Sequence, residues 1–166
     1  MSGPTVLLSI TRIEALHLRD LVAQFVDLLA DPPSGDPAVA RLTPTAYPDD
    51  PDAAREFRSV TERELLRRRT DDAGAVLADL AAAGDVTDIA DLPTEEAVAE
   101  LDLTLDAERA AAWMRTLAAV RLVLAARLGI ASEDDTDDTD PRFGVYDWLG
   151  YRLDGLVQAV DDAVSR

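Results

Sequence analysis

Between Glu133 and Asp140 the chain reads EDDTDDTD, six carboxylates in eight positions. Carboxylates at that density are the raw material of a divalent-cation site. A calcium loop needs oxygen ligands at alternating positions, a glycine at the sixth and a bidentate glutamate at the twelfth. Counted from Asp135, those two positions are Asp140 and Tyr146; counted from Asp134, they are Thr139 and Val145. Neither frame fits. The run reads as a solvated hinge, and no metal ligand is assigned.

Directly after it, VYDWLGY (145–151) sets Tyr146 and Trp148 around Asp147. On a helix, 148 and 151 share a face and 147 points about a third of a turn away. Aromatic residues so spaced anchor cores or interfaces. An inward Asp147 needs a partner, because an unpaired buried charge is costly. Arg121 is the expected one.

Residues 52–69 carry six arginines (55, 58, 63, 67, 68 and 69) and four acids. Arg67, Arg68 and Arg69 are the residue type that meets a phosphate or an acidic partner. The competing reading is an exposed helix laced by Arg58–Glu62 and Glu64–Arg68 pairs at four-residue spacing. Polar base-reading residues of the kind a recognition helix carries are missing from the neighbourhood. His17 is the only histidine, so a triad or a histidine metal site would rest on it alone, and a structural role fits it better. There is no cysteine, which removes disulfides, thiolate sites and thiol switches. Glycine-rich phosphate loops and G-x-S-x-G elbows are also missing. No catalytic residue and no cofactor is expected.

The elements that must position these residues follow from 166 residues, 48% of them hydrophobic, enough for one domain with a single core. Every basic residue is arginine, and the net charge is −17. A field of that sign repels phosphate backbones and anionic lipid surfaces. The N-terminus lacks the charged and apolar regions of a signal peptide. The longest apolar tract, 117–131, is interrupted by Arg121 and Arg127, too broken to span a bilayer. The expected location is the cytoplasm.

Thr5 to Ile10 reads as a strand. Thr11 and Glu14 have capping-box spacing and open a helix to about Ala30. Loops are expected at 31–37, 43–51 and 131–142, from proline, glycine and charge density. Helical pattern resumes near Asp52. Thr61 and Glu64 repeat the capping-box spacing, so a kinked restart is expected there, with Gly84 as the stop. Residues 98–103 alternate apolar and acidic at period two, a strand to pair with 5–10. Thr104 is the expected cap of the next helix, whose stripe is Trp113, Leu117, Val120, Leu124 and Leu128, ending at Gly129. The last helix runs from about Gly144 to Val164, with Leu149, Leu153, Leu156, Val160 and Val164 inward. The whole is a mainly α single domain, a bundle of about five helices over 1–166 with a minor two-stranded β element.

The blocks YPDDPDAAREFRSVTERELLRRR (47–69), RLVLAARLGI (121–130) and VYDWLGYRLDGLV (145–157) resemble, in that order, an actinobacterial family long filed as a domain of unknown function. It is also called the actinomycete oxidative-stress regulator family, and the resemblance runs nearly full length. It implies a cytosolic regulatory protein, a transcriptional regulator acting through a protein partner, with a sigma factor or a Clp-related component as the partner class. Redox sensing in the family would rest on cysteines, so that property does not transfer. The matching positions Tyr47, Phe57, Arg121, Arg127, Tyr146, Asp147, Trp148 and Leu149 carry over as structural or interface residues.

Three functions therefore compete: a non-enzymatic regulatory or protein-interaction module, which leads; a direct DNA binder using the Arg55–Arg69 helix; and a carboxylate enzyme using a divalent metal.

Overall fold

A computed structural model describes residues 3–43, 51–86, 88–135, 137 and 139–166, with the backbone alone at 51–59 and 133. The chain is mainly helical with one two-stranded antiparallel sheet. Strand β1 (Thr5–Thr11) pairs with β2 (Glu100–Asp106), Thr5 opposite Asp106 and Thr11 opposite Glu100. Alternation puts Val6 and Ile10 on the core face with Leu105. Leu7 faces solvent, 63% exposed. On that outer face Ser9 donates to Asp102 across the pair at 2.6 Å.

Helix α1 (Arg12–Ala30) opens on the expected capping box. The Thr11 hydroxyl accepts the Glu14 amide, and the Glu14 carboxylate returns to the Thr11 amide. Both otherwise orphaned donors are thereby satisfied. Helix α2 (Pro37–Leu42) is short, with Asp36 as its cap and Pro37 as its first residue. Proline suits that position because its missing amide would be unpaired there. The loop expected over 31–37 therefore ends one residue early.

Helix α3 (Pro51–Leu80) is continuous. The expected restart at Thr61 does not occur. A cap needs an extended residue ahead of the helix, and residues 52–60 contain neither proline nor glycine to break it. The loop expected over 43–51 lies at 44–50 outside the described residues, as does Tyr47, and Pro51 already belongs to the helix. Gly84, at φ 79°, stops the chain after one 3₁₀ turn.

A short helix, α4 (Thr94–Ala97), precedes β2. Strand β2 lies about two residues later than the alternation suggests. The cap of α5 (Ala107–Leu128) is Asp106, whose carboxylate accepts the Arg109 amide at 2.8 Å. Pairing with β1 keeps Thr104 in the ladder, so Thr104 cannot cap. Gly129 takes the left-handed conformation, φ 75°, and ends α5, as a residue without Cβ does at low cost. Two 3₁₀ turns, Glu133–Asp135 and Pro141–Phe143, lie in the hinge before α6 (Gly144–Val164).

Helix α5 is the hub, packing against α2, α3 and α6. Trp113, Leu117 and Val120 lie in one core with Leu16, Leu18, Val22, Leu80, Leu149 and Leu156. A second cluster of Ala125, Ile130, Phe143 and Tyr146 closes the α5–α6 turn. Val164 was expected inward but is 70% exposed. Ala163, one residue earlier, packs against the core, and a rotation of about 100° per residue turns Val164 outward. No helix among the described residues is long and apolar enough to cross a membrane.

Candidate functional site

The arginine triplet of α3 divides in two. Arg67 donates to Glu64 at 2.8 and 3.2 Å, and Arg68 donates to the same carboxylate at 3.2 Å. Both arginines are exposed. The expected Glu64–Arg68 pair is present; the side chains of Phe57 and Arg58 lie outside the described ones. Arg69 turns the other way, because one residue along a helix rotates about 100°. It enters a groove of about 640 Å³ between α3 and α5.

The groove has a polar side and an apolar side. Arg68, Arg69, Asp71 and Asp72 come from α3, and Arg115 and Thr116 from α5. Phe25, Leu65, Ala118 and Ala119 supply the apolar lining. Arg115 holds Asp72 through two bonds, 2.8 and 2.9 Å, which raise the Arg115 pKa. Among the described residues, Arg69 Nε and the Thr116 hydroxyl are buried without a hydrogen bond. Thr70 shows the usual escape, its hydroxyl donating to the Leu66 carbonyl one turn back at 2.9 Å. Burial lowers the Arg69 pKa, and the Asp72 charge only partly opposes this.

The second region is the seat of α6. Tyr146 is buried, and the Arg121 guanidinium lies 3.9 Å over its ring, near enough for a cation–π contact. Arg121 Nε also donates to the Tyr146 carbonyl at 3.4 Å. Asp147 is exposed and makes no ion pair with Arg121, contrary to expectation. The helix turns 147 away from the inward positions 146 and 149, and a carboxylate in water needs no partner. Gly150 makes room for this arrangement, since a Cβ there would meet Arg121 Nε at 3.0 Å. Leu149 is fully buried.

Trp148 reaches across the fold, its Nε1 donating to Glu14 at 2.7 Å. Arg152 donates to both Glu14 oxygens at 2.6 Å and to the Ser9 carbonyl at 3.1 Å. Burial pushes the Glu14 pKa up, but the bonds from Arg152, Trp148 and Thr11 outweigh it and bring it to about 2. Arg127 clamps Asp36, the cap of α2, at 2.6 and 2.7 Å. That bond is the main cause of the lowered Asp36 pKa.

The acid run works as loop scaffolding. Asp135 accepts the Ala131 and Ser132 amides at 2.8 and 2.9 Å. Asp137 accepts from Thr139, and Asp140 caps the Pro141 turn through the Arg142 amide. These bonds lower the pKa of Asp135 and Asp137, and for Asp140 the Arg142 guanidinium, donating at 2.6 Å, lowers it more than the amide does. Among the described residues, no three His, Asp or Glu side chains gather as metal ligands would. His17 is exposed on α1.

A third feature lies along β1. Arg12 N donates to the Ala99 carbonyl at 2.8 Å. Ladder alternation then points the backbone of Val6, Leu8 and Ile10 at β2 and that of Thr5, Leu7 and Ser9 away from it. On that outer edge a cleft of about 420 Å³ separates β1 from α6, with Leu7, Tyr151 and Gly155 in its lining. Tyr151 is 73% exposed, and a Cβ at Gly155 would touch nothing within 4 Å.

A family model described as a domain of unknown function, DUF2017, matches residues 1–160. The chain belongs to this family. No curated protein and no solved structure matches it.

In this DUF2017 chain, sequence reasoning missed several polar residues that hold the elements together. Asp79 accepts Arg109 at 2.7 Å and the Trp113 indole at 2.9 Å. The four-residue spacing of Arg109 and Trp113 signals a shared face, but nothing local points to an acceptor 34 positions back. Thr116 was legible only as the polar interruption of an apolar stripe.

Proposed function

We propose that this chain is a non-enzymatic regulatory module that works by binding an extended segment of a protein partner along β1. The carrying observation is the open outer edge of β1 beside α6. Leu7 and Tyr151 are 63% and 73% exposed there, and among the described residues the outward backbone groups of Thr5 and Leu7 make no hydrogen bond. An unpaired strand edge accepts a further strand through main-chain bonds, and flanking apolar side chains select what binds. Arg152 already occupies the Ser9 carbonyl, which limits the cleft at that end.

The resemblance to the actinomycete oxidative-stress regulators supplies the biological frame: a cytosolic regulator acting on transcription through a sigma factor or a Clp-related component. Direct DNA binding draws less support, since Arg67 and Arg68 share Glu64 and the chain carries a net charge of −17.

The test is affinity capture from the native extract with wild type, Leu7→Lys and Tyr151→Ser, with purified sigma factors and Clp components as direct baits. A partner held by the wild type at moderate salt and lost by both variants supports the reading. The same partner held equally by both variants removes the edge from it. A sequence-specific gel shift at physiological salt would transfer the function to DNA.

A further inference from the structure

We propose that the segment added at the β1 edge is cationic, an extended peptide with lysine or arginine beside apolar residues. The inference rests on the edge reading and names the chemistry of the occupant.

The edge is unguarded. Strand β1 contains neither a charged residue nor a proline. Edge strands commonly carry such residues, lysine above all, to block strand addition. Helix α6 bounds the cleft on its far side, so a single extended segment fits there better than the face of a folded domain. Gly155 keeps that side open. It lies inside α6, where glycine weakens a helix. Gly150 has a packing reason, the Arg121 side chain, but a Cβ at Gly155 would meet nothing within 4 Å.

The charge comes from the exposed face of α6. Asp147, Tyr151 and Asp154 are spaced by four and three residues, which puts them on one face, and all three are exposed. Among the described residues neither carboxylate joins an ion pair. Arg152 also lines the cleft, 5.9 Å from the Tyr151 ring centroid, but Glu14 already matches its charge. Toward Thr5, Asp162 and Arg166 balance each other. Asp147 and Asp154 are left unmatched on either side of an aromatic ring. A lysine or arginine can lie over that ring, and the field of a chain at −17 draws cations toward it.

The experiment is fluorescence anisotropy of the full chain with short labelled peptides that alternate valine with lysine or with glutamate, at about 0.15 M salt, where charges more than about 8 Å away are screened. The lysine peptide is expected to bind saturably, and the glutamate peptide at least about tenfold more weakly. The double variant Asp147→Asn/Asp154→Asn should weaken the lysine peptide about threefold to tenfold, the scale of two exposed ion pairs. Asp71→Asn, on α3, should not. Gly155→Leu fills the cleft with a neutral side chain and should abolish binding. Leucine favours the helix, so this variant is expected to fold; if it does not, a lysine peptide methylated on alternate backbone nitrogens decides, because it lacks the donors that strand addition needs. Equal binding of the glutamate peptide, or full affinity in the double variant, overturns the cationic occupant and leaves the edge reading standing. Undiminished binding to Gly155→Leu, or of the methylated peptide, overturns both. A wild-type dimer in sedimentation that Gly155→Leu dissolves would give the edge to a second copy and overturn the proposal, as would absence of saturable binding by the lysine peptide.

Discussion

Two arginine–carboxylate clusters in this molecule contrast. At the seat of α6, Glu14 accepts from Arg152, Trp148 and Thr11, and each donor aimed at it is used. In the α3–α5 groove, Arg115 consumes Asp72, while Arg69 Nε and the Thr116 hydroxyl are left without partners. Both sites mix the same residue types and both are partly withdrawn from water. A saturated cluster ties two elements at fixed geometry, because every displacement breaks a bond. An unsaturated one carries a standing desolvation cost. The first pattern ties α6 to the rest of the fold; the second leaves two buried polar atoms uncompensated.

The largest effect that tests this contrast is expected at Glu14. Glu14→Ala removes the returning half of the capping box and strands the Trp148 and Arg152 donors, so urea unfolding should show a loss of about 2–4 kcal/mol. A loss well under about 1 kcal/mol would deny that this cluster holds α6. The same carboxyl makes stability depend on pH. Its folded pKa lies near 2, below the ordinary 4.5. Its contribution is therefore fully present above about 4.5 and is lost as pH falls from there through about 2. Thermal midpoints across that window should fall less steeply in Glu14→Gln than in the wild type.

Asp79 is a smaller version of the saturated pattern, joining α3 to α5 through Arg109 and Trp113. Asp79→Ala should destabilise by about 1–3 kcal/mol, measured in the same urea series. In the groove the sign should reverse. Thr116→Val keeps the shape and deletes an unpaired hydroxyl, so a gain of up to about 1 kcal/mol is expected. A loss there would show that the hydroxyl is satisfied in solution and would erase the contrast. The smallest effect is expected for Gly150→Ala. Its Cβ meets only the far end of the Arg121 side chain, and better helix propensity, worth about 1 kcal/mol, offsets the displaced stacking. The net change should stay within about 0.5 kcal/mol, with the Arg121–Tyr146 contact visibly perturbed by tyrosine fluorescence.

Much of the secondary structure was legible because its signals are local. The Thr11–Glu14 box, the short apolar run of the first strand, the period-two alternation of the second and the Gly129 stop each act within a few residues. The misreadings arose where a local signal met a longer-range one. Thr61 has the spacing of a cap but sits inside an uninterrupted helix. Thr104 is a good cap residue held in a ladder that runs on to Asp106. Asp147 looked like a charge in need of a partner, yet the rotation of α6 leaves it in water. In the acid run, Asp135, Asp137 and Asp140 each accept nearby donors, bonds that its charge density alone did not indicate.

By itself, then, the sequence determined the class of fold, the order of its main elements and the acidic field around it. Periodicity, caps and net charge depend on neighbours along the chain or on composition alone. Only the tertiary structure decided which arginines are tied down and which one is left over. Arg67, Arg68 and Arg69 are alike in sequence. A rotation of about 100° per residue sends two of them to Glu64 and the third toward Thr116, 47 positions away on another helix. Whether a buried donor has an acceptor is settled by packing between elements.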